Sequence, residues 1–193
     1  MTIAASAGGI EALQKLLAAL PRDLPAAVVV VQHRRPHPRE SYLNRIFARV
    51  TSMPVVTADH DQPILPGKVY VARSDLHLTV SPDRRFSYVD GTKVRFLLSA
   101  ANPLFASAAA AFENRLIAVV LTGSGNDATD GVQTVKGHGG VVIAQDPRTA
   151  LNSGMPLAAV ESGAVDYVLP LEAIAPALTA IMRGEPVQGA ALT

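Results

Sequence analysis

The stretch Met1-Thr2-Ile3-Ala4-Ala5-Ser6-Ala7-Gly8-Gly9 joins a short apolar run to a serine and two glycines. An apolar run bounded by glycine is typical of a buried strand in a parallel sheet. A helically spaced apolar pattern from Ile10 to Leu20 follows, and Pro21 ends it. The stretch therefore predicts a strand, a tight turn and a helix, with Ser6 at the turn.

Two further apolar runs are followed by other polar residue types. His33 comes directly after Val28 to Gln32, and Asp127 lies on a glycine-rich turn after Ile117 to Leu121. Open parallel sheets bind ligands beyond the carboxyl ends of their strands. A serine, a histidine and a carboxylate that meet there form an acyl-transfer site. We therefore predict Ser6 as nucleophile, His33 as its general base, and Asp127 as the carboxylate that orients the base.

The rest of the chain alternates between strand and helix patterns. Helices are predicted over 43–50, 103–115, 132–136, 156–161 and 171–182, and strands over 116–121, 140–144 and 164–169. Between Val55 and Leu98, short runs such as Val69-Tyr70-Val71, Leu76 to Val80 and Phe86 to Val89 alternate with turns, and we expect antiparallel hairpins there. The pattern predicts an α/β fold of β-α units around a hairpin insert.

Composition excludes several classes of function. The 193 residues are 49% apolar, enough for one domain or two small ones. With 17 basic and 16 acidic residues the net charge is +1, so we expect no nucleic-acid partner. The absence of cysteine excludes thiol catalysis and suits a reducing compartment. No apolar stretch reaches the roughly 18 residues of a membrane span, so we expect a cytoplasmic protein with no membrane insertion.

Each candidate residue also has a structural alternative. Ser6 could cap the helix that follows it, and Asp127 could cap a helix ahead of Val132. His33 could pair with His37 as a metal site, but Pro36 prevents the helix that would align the two rings, and no third ligand is adjacent. We expect no metal.

A nucleotide site is the strongest rival interpretation. Gly123, Gly125 and Ala128 follow a predicted strand and precede a helix, which imitates a dinucleotide-binding turn. Asp127 and Asp130 would, however, bring negative charge to the place where a pyrophosphate must bind. We therefore expect no cofactor.

A set of ordered motifs resembles the catalytic domain of the bacterial chemotaxis methylesterases of the CheB type. The resemblance covers the chain from Ile3 to about Met182. The motifs are AASAGG (4–9), VQH (31–33), LPGKVYVA (65–72), LTGSGND (121–127), AQD (144–146) and GMP (154–156).

The resemblance implies a fold, an activity and a set of roles. The fold is a doubly wound three-layer sandwich with a mostly parallel central sheet and an antiparallel β-hairpin insert. The activity is hydrolysis of glutamate γ-methyl esters on the cytoplasmic helices of chemoreceptors, with release of methanol and with glutamine deamidation as a side activity. Family roles fall on Ser6, His33 and Asp127, and the backbone amides of Ala7 and Ser124 stand at the oxyanion positions.

The chain departs from the family pattern in its side chains and its extent. Alanine or serine replaces the usual residue at Ala4, Ala7, Ser124 and Ala128, and 100–105 is apolar where the family is polar and basic. We expect a catalytic domain over 1–183, a flexible tail over 184–193 and no receiver domain. The chain is then either an excised domain or a stand-alone esterase under other control, and a separate receiver protein is one candidate regulator. A catalytically idle binding module with the same fold is a further alternative.

The nucleotide interpretation predicts a measurable ligand effect. A ligand that binds only the folded state raises the melting temperature. We expect neither NAD nor ATP to shift the melting temperature in a thermal unfolding assay, and a clear stabilisation by either one would favour the nucleotide site.

Overall fold

The computed structural model describes residues 1–33, 42–89 and 100–187. His37, the turn at Asp90-Gly91 and most of the expected tail over 184–193 lie outside these residues.

A parallel sheet of seven strands forms the centre of the molecule, and a separate pair of strands forms an antiparallel hairpin. In the sheet the order is β3-β4-β2-β1-β7-β8-β9, and every neighbouring pair is parallel. The sheet strands are β1 Thr2–Ala5, β2 Val28–Gln32, β3 Val55–Thr57, β4 Val69–Val71, β7 Ile117–Val120, β8 Val141–Gln145 and β9 Tyr167–Leu169, and the hairpin strands are β5 His77–Val80 and β6 Phe86–Val89.

Helices cover both faces of the sheet. They are α1 Gly9–Ala19, α2 Tyr42–Phe47, α3 Ala101–Phe112, α4 Thr129–Gly137, α5 Gly154–Glu161 and α6 Leu171–Arg183. Successive residues of β1 alternate between two cores: Ala4 packs with α3, α4, α5 and the hairpin, and Ile3 packs with α1, α2 and α6. The predicted doubly wound sandwich with a hairpin insert is confirmed. Within the described ranges, none of the helices is long and apolar enough to cross a membrane.

The middle of the chain corrects part of the sequence prediction. The pair β5–β6 is the antiparallel hairpin that the turns predicted. The run Val69–Val71 was expected in a hairpin as well, and this is wrong, because it forms β4 in the parallel sheet between β2 and β3. An apolar run of three residues is too short to show which pairing it makes, since its partners are distant in sequence.

Helix α3 also begins earlier than its apolar pattern predicted. It starts at Ala101 instead of Pro103, and its last predicted residues, Glu113–Arg115, form a short 3-10 turn. Pro103 lies in the first turn, where a missing N–H costs nothing. The expectation of antiparallel hairpins is wrong for Val55–Thr57 as well, since this run forms β3 and pairs in parallel with β4. The remaining helices and strands differ from the predicted bounds only at their ends.

The strand order reverses direction at β1. In space the sheet extends from β1 through β2, β4 and β3 on one side and through β7, β8 and β9 on the other, and β4 is placed between β2 and β3 although it follows β3 in the chain. Such a switch point opens a crevice at the carboxyl ends of the two central strands. The loops that follow β1 and β7 therefore meet at one edge of the sheet.

The contact between α3 and α4 predicts opposite effects for two glycines of α4. A Cβ on Gly131 would lie 2.8 Å from Cβ of Phe105, whereas a Cβ on Gly137 would meet nothing within 4 Å. Gly131→Ala should lower the free energy of unfolding by about 1–3 kcal/mol through overpacking. Gly137→Ala should raise it by about 0.4–1 kcal/mol by restricting the unfolded chain. Chemical denaturation measures both, and equal effects would contradict the packing.

Candidate active site

Ser6 lies in the turn between β1 and α1. Its backbone N–H donates to the carbonyl of Thr122 at 3.0 Å, and its own carbonyl accepts from the N–H of Gly9 at 2.8 Å. The residue that caps α1 is Gly8, in the left-handed conformation at φ 78°, and no side chain caps this helix. The alternative that Ser6 caps the helix is therefore wrong. Its hydroxyl makes no hydrogen bond with any described residue.

His33 follows β2 and lies beside the Ser6 turn. Ala5 and Gln32 are register partners in neighbouring parallel strands, so Ser6 and His33 occupy the next positions on strands about 4.8 Å apart. The N–H of His33 donates to the carbonyl of Ala5 at 2.8 Å. Among the described residues no hydrogen bond joins the Ser6 hydroxyl to the His33 ring.

Asp127 meets His33 inside the protein. Oδ2 of Asp127 lies 2.7 Å from Nε2 of His33, and each side chain is 4% exposed. The ring is turned so that this contact is not a linear hydrogen bond, and Oδ1 of Asp127 has no hydrogen-bond partner in the described parts of the chain. Oδ2 also accepts from the N–H of Ala101 at 2.6 Å, at the start of α3. The structure thus brings the predicted imidazole and carboxylate together.

The alternative role for Asp127, as a cap of its own helix, is wrong. The residue before α4 is Ala128, at φ 81°, and no side chain caps this helix. Asp127 instead accepts a hydrogen bond from the first residue of a different helix, α3. The positive end of the α3 dipole favours a carboxylate at that place.

The charge of Asp127 is favoured in spite of its burial. Burial is the largest single influence and opposes the charge, but the His33 side chain and the backbone N–H groups of Ala101 and Ala128 together outweigh it. The pKa of Asp127 is therefore lower than its ordinary value. The group next to His33 is a carboxylate at neutral pH.

The amides of Ala7 and Ser124 lie on the two loops that meet at this edge. Neither N–H donates a hydrogen bond to any residue in the described ranges. The loops are in contact, because a Cβ on Gly123 would lie 2.8 Å from Cβ of Ser6 and 2.2 Å from Sδ of Met155. The absence of a side chain at Gly123 therefore allows the loop that carries Ser124 to approach Ser6.

Three polar side chains that the sequence did not single out hold these loops. Nε2 of Gln32 donates to the carbonyls of Ser6 at 2.8 Å and His33 at 3.0 Å. The hydroxyl of Thr122 donates to the carbonyl of Ala7 at 3.0 Å, and Oε1 of Gln145 accepts from the N–H of Thr122 at 2.9 Å. Gln32 and Gln145 each end a buried strand. A buried amide side chain at a strand end is the one signal that could have identified them.

A separate cavity and the possible metal ligands in the described ranges can be compared with this cluster of side chains. A cavity of about 310 Å³ lies near the amino ends of the strands, with Met1, Ala27 and Leu116 in its wall, and it contains none of the three predicted side chains. Over the described ranges, no group of three or more His, Cys, Asp or Glu residues could hold a metal ion. His37, the proposed partner of His33 in the metal alternative, lies outside those ranges.

The fold and this cluster define a doubly wound α/β protein with a serine, a histidine and a buried aspartate at the carboxyl edge of its sheet. The family model of the CheB methylesterases matches residues 1–178. The chain belongs to the CheB methylesterase family, as its motifs predicted.

Individual relatives agree with this assignment. A Pyrococcus horikoshii protein named protein-glutamate methylesterase/protein-glutamine glutaminase is 38% identical over 177 residues, which are 90% of this chain and 48% of the relative. A Leptospira interrogans relative is 37% identical and matches 91% of this chain and 90% of its own. The crystal structure of the Thermotoga maritima CheB methylesterase catalytic domain superposes with a TM-score of 0.88 at 34% identity, covering 93% of this chain and 96% of that one.

The lowered pKa of Asp127 predicts how stability depends on pH. The unfolded carboxyl, with a pKa of about 3.9, binds its proton before the folded one as the pH falls. The stabilisation is therefore complete above the unfolded pKa and is lost as the pH falls through the folded pKa. We expect the free energy of unfolding of the wild type to exceed that of Asp127→Asn at pH 7 and the gap to shrink below about pH 4. Denaturant titrations across this range measure the gap, and a constant gap would contradict the assignment.

Proposed function

We propose that this chain is a serine hydrolase that demethylates glutamate γ-methyl esters on the cytoplasmic helices of chemoreceptors and releases methanol. The observation that carries the proposal is the buried contact of His33 with Asp127 beside the Ser6 turn, in a chain of the CheB methylesterase family. The names of its relatives support a second activity, the deamidation of glutamine. Because the proposed substrates lie on cytoplasmic helices, we expect the enzyme to act in the cytoplasm.

The first step requires a base for the Ser6 hydroxyl. Because Asp127 contacts Nε2 of His33, the ring carries its proton there and leaves the lone pair of Nδ1 to accept the Ser6 proton. The Ser6 oxygen attacks the ester carbonyl carbon, and the carboxylate stabilises the imidazolium that forms. General base catalysis contributes a factor of about 10² to 10⁴ in rate.

The negative charge that develops on the carbonyl oxygen needs hydrogen-bond donors. The free N–H groups of Ala7 and Ser124 are suited to this role, since they lie on the two loops in contact at Ser6. One such donor is worth about 3 kcal/mol. Because the donors belong to the main chain, the unusual side chains at these positions leave them in place.

The second half of the reaction returns the enzyme to its starting state. The tetrahedral intermediate expels methoxide, which takes the proton from His33 and leaves as methanol. Water then gives a proton to His33 and attacks the acyl-Ser6 ester, and collapse of this intermediate releases the glutamate carboxylate and the Ser6 hydroxyl. With a glutamine side chain the leaving group is ammonia.

The proposal predicts that Ser6→Ala abolishes turnover without affecting the fold. The hydroxyl makes no hydrogen bond with a described residue, so the melting temperature should stay within a degree or two of the wild type's. Methanol release from a methylated chemoreceptor fragment should fall by about three orders of magnitude or more.

Ser52→Ala is the matched control. Ser52 is exposed and precedes β3 at the amino edge of the sheet, so the control should keep wild-type turnover. Full activity of Ser6→Ala would refute the assignment, and a wild-type protein with no turnover would support the idle binding module.

A further inference from the structure

His77 is a buried histidine that the proposed mechanism does not use. It is the first residue of β5 and is 3% exposed. Its Nδ1 accepts a hydrogen bond from the N–H of Ala100 at 3.1 Å. Its Nε2 is also buried and has no hydrogen-bond partner in the described part of the chain. A buried group without a partner costs about 1–3 kcal/mol, so this histidine is a poor choice for a position that only fills space.

The hydrogen bond of His77 lies next to the one that holds Asp127. Ala100 and Ala101 are consecutive residues at the start of α3, and both are buried. The N–H of Ala100 donates to His77, and the N–H of Ala101 donates to Oδ2 of Asp127 at 2.6 Å. The same oxygen lies 2.7 Å from His33. Two consecutive N–H groups at the start of α3 thus connect His77, in the β5–β6 hairpin, to the carboxylate of Asp127.

The third residue of this segment is anchored as well. Oδ1 of Asn102 accepts from the N–H of Gly131 in α4 at 2.7 Å. The start of α3 is therefore held by the hairpin, by Asp127 and by α4, although none of its own side chains caps it. Its orientation decides where the N–H of Ala101 points.

We propose that His77 is a positioning residue for the reaction. His77 holds the N–H of Ala100 and thereby fixes the direction of the N–H of Ala101. The N–H of Ala101 in turn keeps Oδ2 of Asp127 in contact with His33. The inference rests on the proposed function of the site. Because His77 reaches the site through backbone amides at the start of α3, we expect it to affect the turnover step and to leave substrate binding unchanged.

The chemistry of the contact identifies which nitrogen matters. Because Nδ1 accepts an N–H, the ring carries its proton on Nε2. Asparagine has its Oδ1 at the same number of bonds from the backbone as Nδ1 of histidine, so His77→Asn keeps an acceptor for the N–H of Ala100 and replaces the ring Nε2–H with the N–H groups of its own amide. Glutamine reaches the position of Nε2 instead, and His77→Gln removes the acceptor while keeping a polar side chain.

The three variants His77→Asn, His77→Gln and His77→Leu test the proposal in full-length protein. We expect kcat to fall about 10- to 100-fold in the Gln and Leu variants, the loss that a small misplacement of a reacting group causes. The Asn variant should stay within a few-fold of the wild type, and KM should change little in all three. Circular dichroism and thermal unfolding check that each variant is folded, and the Asn–Gln pair decides the matter even if the Leu variant does not fold.

A second measurement separates this proposal from the proposed function. A carbon-13 NMR titration follows the carboxyl of Asp127 without any turnover. The pKa of Asp127 should remain low in the wild type and in His77→Asn, and should rise toward its ordinary value in His77→Gln. Wild-type kcat and an unchanged titration in His77→Gln, or an equal loss in His77→Asn, would overturn the positioning role. Full activity of Ser6→Ala would instead defeat the proposed function and leave the titration result standing.

Discussion

The rest of the structure depends on a carboxylate that stays charged inside the protein. Asp127 is almost fully buried, and removing a charge from water costs several kcal/mol unless other groups compensate. His33 and the first amide of α3 supply that compensation, and the pKa of Asp127 falls below its ordinary value as a result. The interaction joins two loops and a helix that are far apart in sequence. It lies at the carboxyl edge of the sheet, where the strand register places His33 beside Ser6.

The parallel sheet brings the residues of the site together without long connecting loops. Because β1 lies between β2 and β7, the residues that follow these strands emerge side by side without any long loop. How closely the loops after these strands approach each other then depends on the volume of the side chains between them. Gly9 leaves room for the amide of Gln32, and Gly123 leaves room for Ser6. Strand order sets which residues meet, and these glycines set how closely they meet.

The sequence predicted the local elements well and the long-range pairings poorly. The strand Val28–Gln32 and the helix that follows Gly8 match their predicted positions, since period and glycine placement are local signals. The pairing of Val69–Val71 was wrong because three apolar residues do not reveal their neighbours. The early start of α3 was missed because its amides are held by His77 and Asp127, side chains outside the helix. The roles of Ser6, His33, Asp127, Ala7 and Ser124 stay predictions from chemistry.

The most direct test of the central claim is covalent labelling with a fluorophosphonate, followed by mass spectrometry of the digested protein. Such a probe reacts rapidly only with a serine whose hydroxyl is activated by a neighbouring base. If His33 and Asp127 activate Ser6, the wild type will gain a single adduct on the peptide that contains Ser6, and Asp127→Asn will label far more slowly. An adduct on another serine such as Ser124, or the same labelling rate in Asp127→Asn, would contradict the claim that this buried pair activates Ser6.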